Sequence, residues 1–201
     1  MIGDIGLGSG MRKPLDDCAN WLTNPKRGSE GARLILPDIL TPGLRIVFCG
    51  TAAGNVSAAL GRYYAHPQNK FWRTLEAVGL TPHRLHPPEF ATLPRWGLGL
   101  TDIAKSVSGM DKQLPRGALG REPCRTMAAK IAAARPTILA FTSLTAGRRY
   151  LGRDAGFGEQ PETIGATRIW VLPSPSPAAN WNWEEGWWRA LAVTALSSPS
   201  L

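Results

Sequence analysis

Cysteine is scarce in this chain of 201 residues, and its scarcity excludes several kinds of site. The cysteines Cys18, Cys49 and Cys124 are far apart and odd in number. They form neither a disulfide framework nor a CxxC metal motif, and they are one thiol short of the set that an iron–sulfur cluster normally requires. Cys49 ends an apolar stretch, so we expect it in the core. We predict neither a metal nor a cofactor.

Long hydrophobic runs and targeting signals are missing as well. No stretch approaches the roughly 18 apolar residues of a membrane span. The N-terminus has no basic segment followed by an apolar run, which argues against a secretion signal. We therefore expect a cytoplasmic protein that makes no membrane contact, and we expect it to be a monomer.

Positive charge is in excess. The chain has 23 Lys and Arg against 15 Asp and Glu, a formal charge of +8. Such a balance suits a polyanion such as DNA, because each neutralised phosphate releases counterions. A basic protein with no nucleic-acid role has the same balance, so charge alone does not decide the function. The length allows one domain with a real core.

Short apolar strands alternate with helices along most of the chain. We predict strands at 44–49, 96–103, 137–141 and 168–172, and helices at 69–79, 122–135, after Ser143 and at 184–196. Almost wholly apolar strands indicate a parallel sheet covered on both faces. The predicted fold class is α/β, a three-layer α/β/α sandwich with a four-stranded parallel sheet. It occupies residues 36–201, after an N-terminal extension (1–35) that we expect to be partly disordered.

Ligands of such sheets bind beyond the carboxyl ends of the strands, which points to loops 50–68, 101–113, 142–146 and 173–183. In the first loop, glycines let the backbone approach a ligand closely. A GK[ST] ending is missing, so a Walker-type phosphate site is excluded. The segment YAHPQNKFW (64–72) combines an aromatic plane with amide and imidazole groups, which suit stacking on and hydrogen bonding to a base.

Several motifs carry a resemblance to a known family. LPDILTPGLRIVFCG (36–50) closely resembles the opening of the mismatch-specific uracil-DNA and thymine-DNA glycosylases, and the spacing from Gly50 to Phe71-Trp72 is similar to theirs. The resemblance resumes at GLTDI (99–103) and IGATRIWVLPSPSP (164–177). YYAHPQN and LPSPSP are also similar to the hypoxanthine-DNA glycosylase branch. The chain is identified as a member of the uracil-DNA glycosylase superfamily over roughly residues 36–196.

The resemblance implies a monofunctional DNA glycosylase of base excision repair. Such an enzyme flips a deaminated base, here expected to be uracil, out of damaged DNA and hydrolyses its N-glycosidic bond to leave an abasic site. Its partner is DNA that contains uracil or another deaminated base. A hypoxanthine-preferring glycosylase and a catalytically weak relative that binds uracil or abasic sites remain alternatives. No lysine in the motif loops is placed to form a Schiff base, since Lys70 is predicted on a helix face, so lyase activity is not expected.

The resemblance also assigns residues to the base and to DNA. Base binding falls to Gly50, Thr51, Ala52, Tyr64 and Asn69: the Thr51 N–H contacts a uracil carbonyl, the Tyr64 ring stacks on the base, and Asn69 either contacts the base or caps a helix. The loop 174–180 grips phosphates and inserts a wedge. The predicted DNA contacts are Ser57, Ser174, Ser176, Asn180 and Trp181, with Asn180 or Trp181 filling the hole left by the flipped base. Lys105 is a further candidate phosphate contact.

One departure from the family pattern concerns catalysis. Mismatch glycosylases place a water-holding Asn where this chain has Ala52, and a methyl group cannot orient water. Leu172 likewise stands where some branches have a catalytic His. Asp102 is the first candidate for the missing role, because a carboxylate near the sugar stabilises an oxocarbenium-like transition state. An Asx turn or helix cap is its structural alternative.

Two further residues are candidates for the missing catalytic role. Asn55 is the second candidate, and capping of the helix after Gly54 is its alternative. His66 is the third: it could donate to the leaving oxygen, or it could be a packed structural histidine.

Overall fold

The computed structural model describes residues 34–197, which form five strands and five α-helices. The strands are β1 (Ile46–Ala53), β2 (Leu98–Ser108), β3 (Ile138–Phe141), β4 (Gly158–Ile164) and β5 (Thr167–Val171). The helices are α1 (Asn55–Leu60), α2 (Phe71–Ala77), α3 (Arg121–Ala134), α4 (Leu144–Leu151) and α5 (Glu185–Ser197), with 3-10 segments at Pro87–Trp96, Asp111–Gln113 and Pro177–Asn182. The predicted extension (1–35) lies almost entirely outside the described residues.

The strands of residues 34–197 form one sheet in the order β2-β1-β3-β5-β4. β2, β1, β3 and β5 are parallel, as predicted, whereas β4 is antiparallel to β5 at the edge. The prediction of four strands was therefore wrong by one. β4 has the sequence GEQPETI, mostly polar and with Pro161 inside it, and such a composition is tolerated only at an exposed edge.

Two apolar clusters cover the two faces of the sheet. On one face, Phe48 of β1 packs with Phe71 of α2 and Trp188 of α5. On the other face, Cys49 of β1 packs in a cluster with Ile131 of α3 and further residues of α4. Successive strand residues point to opposite faces, so the apolar stretch of β1 contributes side chains to both clusters. The predicted α/β/α sandwich is confirmed.

The order of the strands places a crevice at one point of the sheet. The chain passes from β1 to β2 on one side and later enters β3 on the other side of β1. Ligands of open α/β sheets bind outside the carboxyl ends of the strands where the order reverses in this way. In this sheet the reversal falls at the carboxyl ends of β1 and β3.

The central strands extend further than the sequence predicts. β1 ends at Ala53 and β2 at Ser108, so Gly50 and Asp102 lie inside paired strands and not in loops. The sheet register places Gly50 directly opposite Asp102. These two residues are therefore held by the sheet itself and not by a flexible connection. An Asx turn or a helix cap, the structural alternatives for Asp102, does not apply.

Candidate active site

A carboxyl group lies directly over Gly50. The parallel register of β1 and β2 turns the Asp102 side chain to the same face as Gly50. A Cβ atom added to Gly50 would lie 2.5 Å from Asp102 Oδ1, and 3.8 Å from Thr142 Oγ1. Any side chain at position 50 would collide with the carboxyl. Glycine therefore lets the Asp102 carboxyl occupy this position, and a larger residue would displace it.

Asp102 is buried without a direct partner. The residue is 5% exposed, and within residues 34–197 its carboxyl makes no hydrogen bond or ion pair. Burial raises the pKa of Asp102 to about 7; the positive charge of Lys105 lowers it, and the negative charge of Asp38 adds to the increase. Buried acids with a pKa near neutrality are a feature of catalytic sites, since such a group can accept and release a proton at working pH.

An aromatic platform lies beside this carboxyl. The Tyr64 ring stacks on Phe71 with 3.9 Å between centroids and 15° between planes. Its hydroxyl shares a hydrogen bond of 3.2 Å with Thr142 Oγ1, and burial, with the nearby Asp102 charge, raises the pKa of Tyr64, so the phenol stays protonated. Because Phe71 covers one ring face, only the opposite face can stack on a ligand.

Thr142 is a site residue that sequence analysis did not single out. It follows β3, is 4% exposed, and its hydroxyl also donates to the Cys49 carbonyl over 3.3 Å. It thus links Tyr64 to Cys49 in the middle of β1. The available signal was its position, because it directly follows the apolar strand β3 and begins the predicted ligand loop 142–146.

The position of the family's water-holding Asn is lined by methyl groups. Ala52 lies two residues beyond Gly50 on the same face of β1, and its partner across the sheet is Ala104. Neither side chain can hydrogen bond to water. On the opposite face, the Thr51 hydroxyl donates to Asp111 Oδ1 over 2.6 Å. The segment after β2 is thereby held against the end of β1.

The other catalytic candidates lie in turns around the crevice. Asn55 is exposed at the first turn of α1, where Gly54 and not Asn55 is the N-cap. His66 Nδ1 accepts from the Gln68 N–H over 3.2 Å. Asn69 Oδ1 accepts from the Phe71 N–H over 2.9 Å. His66 and Asn69 thus form hydrogen bonds within the loop that presents the aromatic platform, and the N-cap of α2 is Lys70 and not Asn69.

The C-terminal loop (173–183) exposes a large aromatic side chain to solvent. Trp181 is 84% exposed, whereas Trp183 packs on Trp188. Ser174 Oγ and Ser176 Oγ accept from backbone N–H groups of the same loop, at 3.3 and 3.4 Å. The two hydroxyls therefore shape the loop and keep their protons for an external acceptor.

Two predicted DNA contacts are not supported by their positions. Ser57 is buried in α1, where its Oγ accepts from the Ala65 N–H over 3.1 Å. The Lys105 side chain is 10% exposed, pairs with Asp38 at 2.8 Å and donates to the Tyr63 hydroxyl at 2.8 Å. Local sequence does not reveal which polar side chains point inward, so these two burials were not foreseen.

Within residues 34–197, no group of three or more His, Cys, Asp or Glu side chains could hold a metal ion. None of the helices in the same range is long and apolar enough to cross a membrane.

Fold and site together define a class of protein. A mostly parallel α/β/α sandwich with an aromatic platform and a buried carboxyl at its strand-order reversal is suited to hold a planar ligand that forms hydrogen bonds. Residues 37–197 match the family model of the Uracil DNA glycosylase superfamily. The chain belongs to this superfamily, whose members are DNA glycosylases, hydrolases of base excision repair that act on DNA. Membership of the superfamily, inferred from the motifs, is confirmed.

Proposed function

We propose that this protein excises uracil from DNA by hydrolysing the N-glycosidic bond, leaving an abasic site. The observation that carries the proposal is the buried Asp102 carboxyl, packed over Gly50 and near the Tyr64 ring, to which no side chain or backbone group of residues 34–197 forms a hydrogen bond or ion pair. A buried acid without a partner destabilises the fold, and such a group is typical of a functional site.

The base is held by the aromatic platform. The flipped uracil stacks on the ring face of Tyr64 that Phe71 leaves uncovered, a contact of about 1–3 kcal/mol by analogy with other aromatic–base stacks. Thr142 fixes the Tyr64 hydroxyl, so little freedom is lost when the base arrives. The backbone N–H of Thr51, at the end of β1, donates to a uracil carbonyl.

Asp102 performs the acid–base step. In its ionised form the carboxylate stabilises the positive charge that develops on the sugar and orients a water molecule. The water oxygen forms a bond to C1′ while the C1′–N1 bond breaks and its electron pair leaves with the base. The proton released by the water passes to Asp102. No side chain at Ala52 or Ala104 can share this task.

The C-terminal loop separates the strands of a duplex. Trp181 inserts where the base has left, since it is the exposed aromatic side chain of the loop. Ser174 and Ser176 donate their hydroxyl protons to phosphates. The formal charge of +8 supports binding to the DNA backbone.

A uracil or abasic-site binding protein without glycosylase activity is the second candidate. The observation that favours it is the pair of methyl groups at Ala52 and Ala104, where the family pattern places a water-holding amide. In that case Asp102 contributes to recognition of the base and not to bond cleavage.

Defined oligonucleotides distinguish these functions. Oligonucleotides with uracil, with a G·T mismatch or with hypoxanthine are incubated with the protein in EDTA, and abasic sites are revealed by alkali. We expect cleavage at uracil, and Asp102→Asn prepared in parallel identifies traces of a contaminating glycosylase. Cleavage only at hypoxanthine contradicts the uracil assignment. Binding of uracil or abasic DNA without cleavage of any oligonucleotide supports the second candidate.

A further inference from the structure

Lys70 is a buried lysine that the chemistry above does not use. It directly precedes α2 and is 9% exposed, although sequence analysis placed it on a helix face. Burial, together with the positive charge of Arg73, lowers the pKa of Lys70. Lysine is seldom buried unless its ammonium group has a partner. Its contacts therefore indicate what the residue does.

Within residues 34–197, the hydrogen bond and the ring contact of the Lys70 ammonium are both made to the C-terminal loop. Its Nζ donates a hydrogen bond to Asn180 Oδ1, and it lies 5.1 Å from the centroid of the Trp183 ring, a cation–π contact. The backbone N–H of Lys70 donates to the Pro175 carbonyl over 2.9 Å. One residue thus contacts the loop at three points, on both sides of its 3-10 segment.

The other side of Lys70 is the aromatic platform. Phe71, the next residue, stacks on Tyr64, and its N–H is bonded to Asn69. Lys70 therefore lies next to Phe71 of the aromatic platform in the chain and, through its side chain, contacts the loop that contains Trp181. Asn180, its hydrogen-bond partner, directly precedes Trp181 in the chain.

We infer that Lys70 is a positioning residue that fixes the Trp181 wedge at a set distance from the base-stacking platform, so that strand separation and base capture occur together. The inference rests on the proposed function. A wedge is needed only where a base must leave a stacked, paired duplex. In single-stranded DNA the base is already unpaired, and the platform alone captures it. The tether therefore acts on duplex substrates.

The test compares excision from single-stranded and duplex uracil DNA under single-turnover conditions. Lys70→Met keeps the hydrocarbon stem and removes the ammonium group. We expect excision from the duplex to fall about tenfold or more and excision from the single strand to change less than about twofold. Lys70→Arg retains a charged donor and should recover most of the duplex rate. Arg73→Met, which removes one exposed positive charge from α2, is the matched control and should not alter the ratio of the two rates.

Asn180→Ala tests the same tether from its exposed side, where loss of folding is not expected. It should reproduce the duplex defect, and the double variant should be no slower than either single variant, because both changes remove one interaction. Equal losses on both substrates after Lys70→Met, or additive losses in the double variant, would overturn the inference. So would a shift of the ratio by Arg73→Met as large as that caused by Lys70→Met.

A binding measurement separates the inference from the proposed function. A duplex that carries 2′-fluoro-2′-deoxyuridine, which resists cleavage, next to 2-aminopurine reports unstacking as a rise in fluorescence. We expect the rise with the parent protein and with Arg73→Met, and a much smaller rise with Lys70→Met. If the parent excises no uracil but the fluorescence difference is present, the tether stands and the glycosylase proposal fails. An equal rise with Lys70→Met contradicts the tether, whatever the enzyme activity.

Discussion

Replacing Asp102 with Asn should slow the enzyme and stabilise its fold. The side chain is buried over Gly50, and within residues 34–197 it forms no hydrogen bond or ion pair. Ionisation of such a carboxyl is opposed by loss of hydration. Asn has nearly the same shape and no charge. Asp102→Asn therefore removes the free-energy cost of ionising a buried carboxyl and leaves the packing intact.

The size of the effect follows from the change in pKa on folding. Burial raises the pKa of Asp102 from its ordinary value of 3.8 to about 7. The folded protein therefore holds its proton where the unfolded chain has lost it, and the contribution of the group to stability is lost as the pH rises between these values. The loss is about 1.4 kcal/mol per pH unit, or about 2.7 kcal/mol between pH 5 and pH 7. Asp102→Asn should not show this loss.

Thermal unfolding of both proteins at pH 5 and pH 8 measures the difference. The melting temperature of Asp102→Asn minus that of the parent should be about 5–10 °C larger at pH 8 than at pH 5. This follows from roughly 2–4 °C per kcal/mol for a domain of this size. Asp154→Asn, the same change at an exposed position, is the control and should track the parent at both pH values. An equal difference in melting temperature between Asp102→Asn and the parent at the two pH values would refute the argument that burial opposes ionisation of the Asp102 carboxyl.

Three further outcomes follow from the site. Tyr64→Ala should slow excision about tenfold or more, whereas Tyr64→Phe keeps the ring, loses the bond to Thr142 and should cost about 1 kcal/mol of stability; equal slowing by both changes would assign the role to the hydroxyl. Gly50→Ala should displace the Asp102 carboxyl and slow excision, while Gly156→Ala, where an added Cβ meets nothing within 4 Å, should not; equal rates for the two variants would contradict the need for glycine. DNA affinity measured against salt should fall steeply on a log–log plot, and a flat plot would exclude phosphate contacts.

The layers of the fold could be predicted from the sequence because burial on both faces leaves a strong local signal. β1 and β3 are almost wholly apolar for this reason, and β5 ends in the apolar run Ile169–Val171. β4 leaves no such signal, because its edge position exposes polar residues. The carboxyl ends of β1 and β2 were missed because residues such as Thr51 and Lys105 look like loop residues until their partners across the fold are known.

The candidate site was predictable only in part. Asp102 and Tyr64 could be selected because each occupies a motif position in the family. The bond between Thr51 and Asp111 joins residues 60 apart, and that between Lys70 and Asn180 joins residues 110 apart. Contacts at such separations depend on the packing of whole elements, and local spacing does not encode them. Long-range polar contacts therefore required the structure.

The most direct test of the account is single-turnover excision of uracil by the parent protein and by Asp102→Asn across pH 5 to 9. If Asp102 acts as the carboxylate, the parent rate rises with pH and levels off above a pKa of about 7. Asp102→Asn should bind uracil DNA as tightly as the parent but be slower by roughly 10²–10⁴-fold, with no such rise. Excision by Asp102→Asn at the parent rate would contradict the central claim, and Asn55 or His66 would then be the next residue to replace.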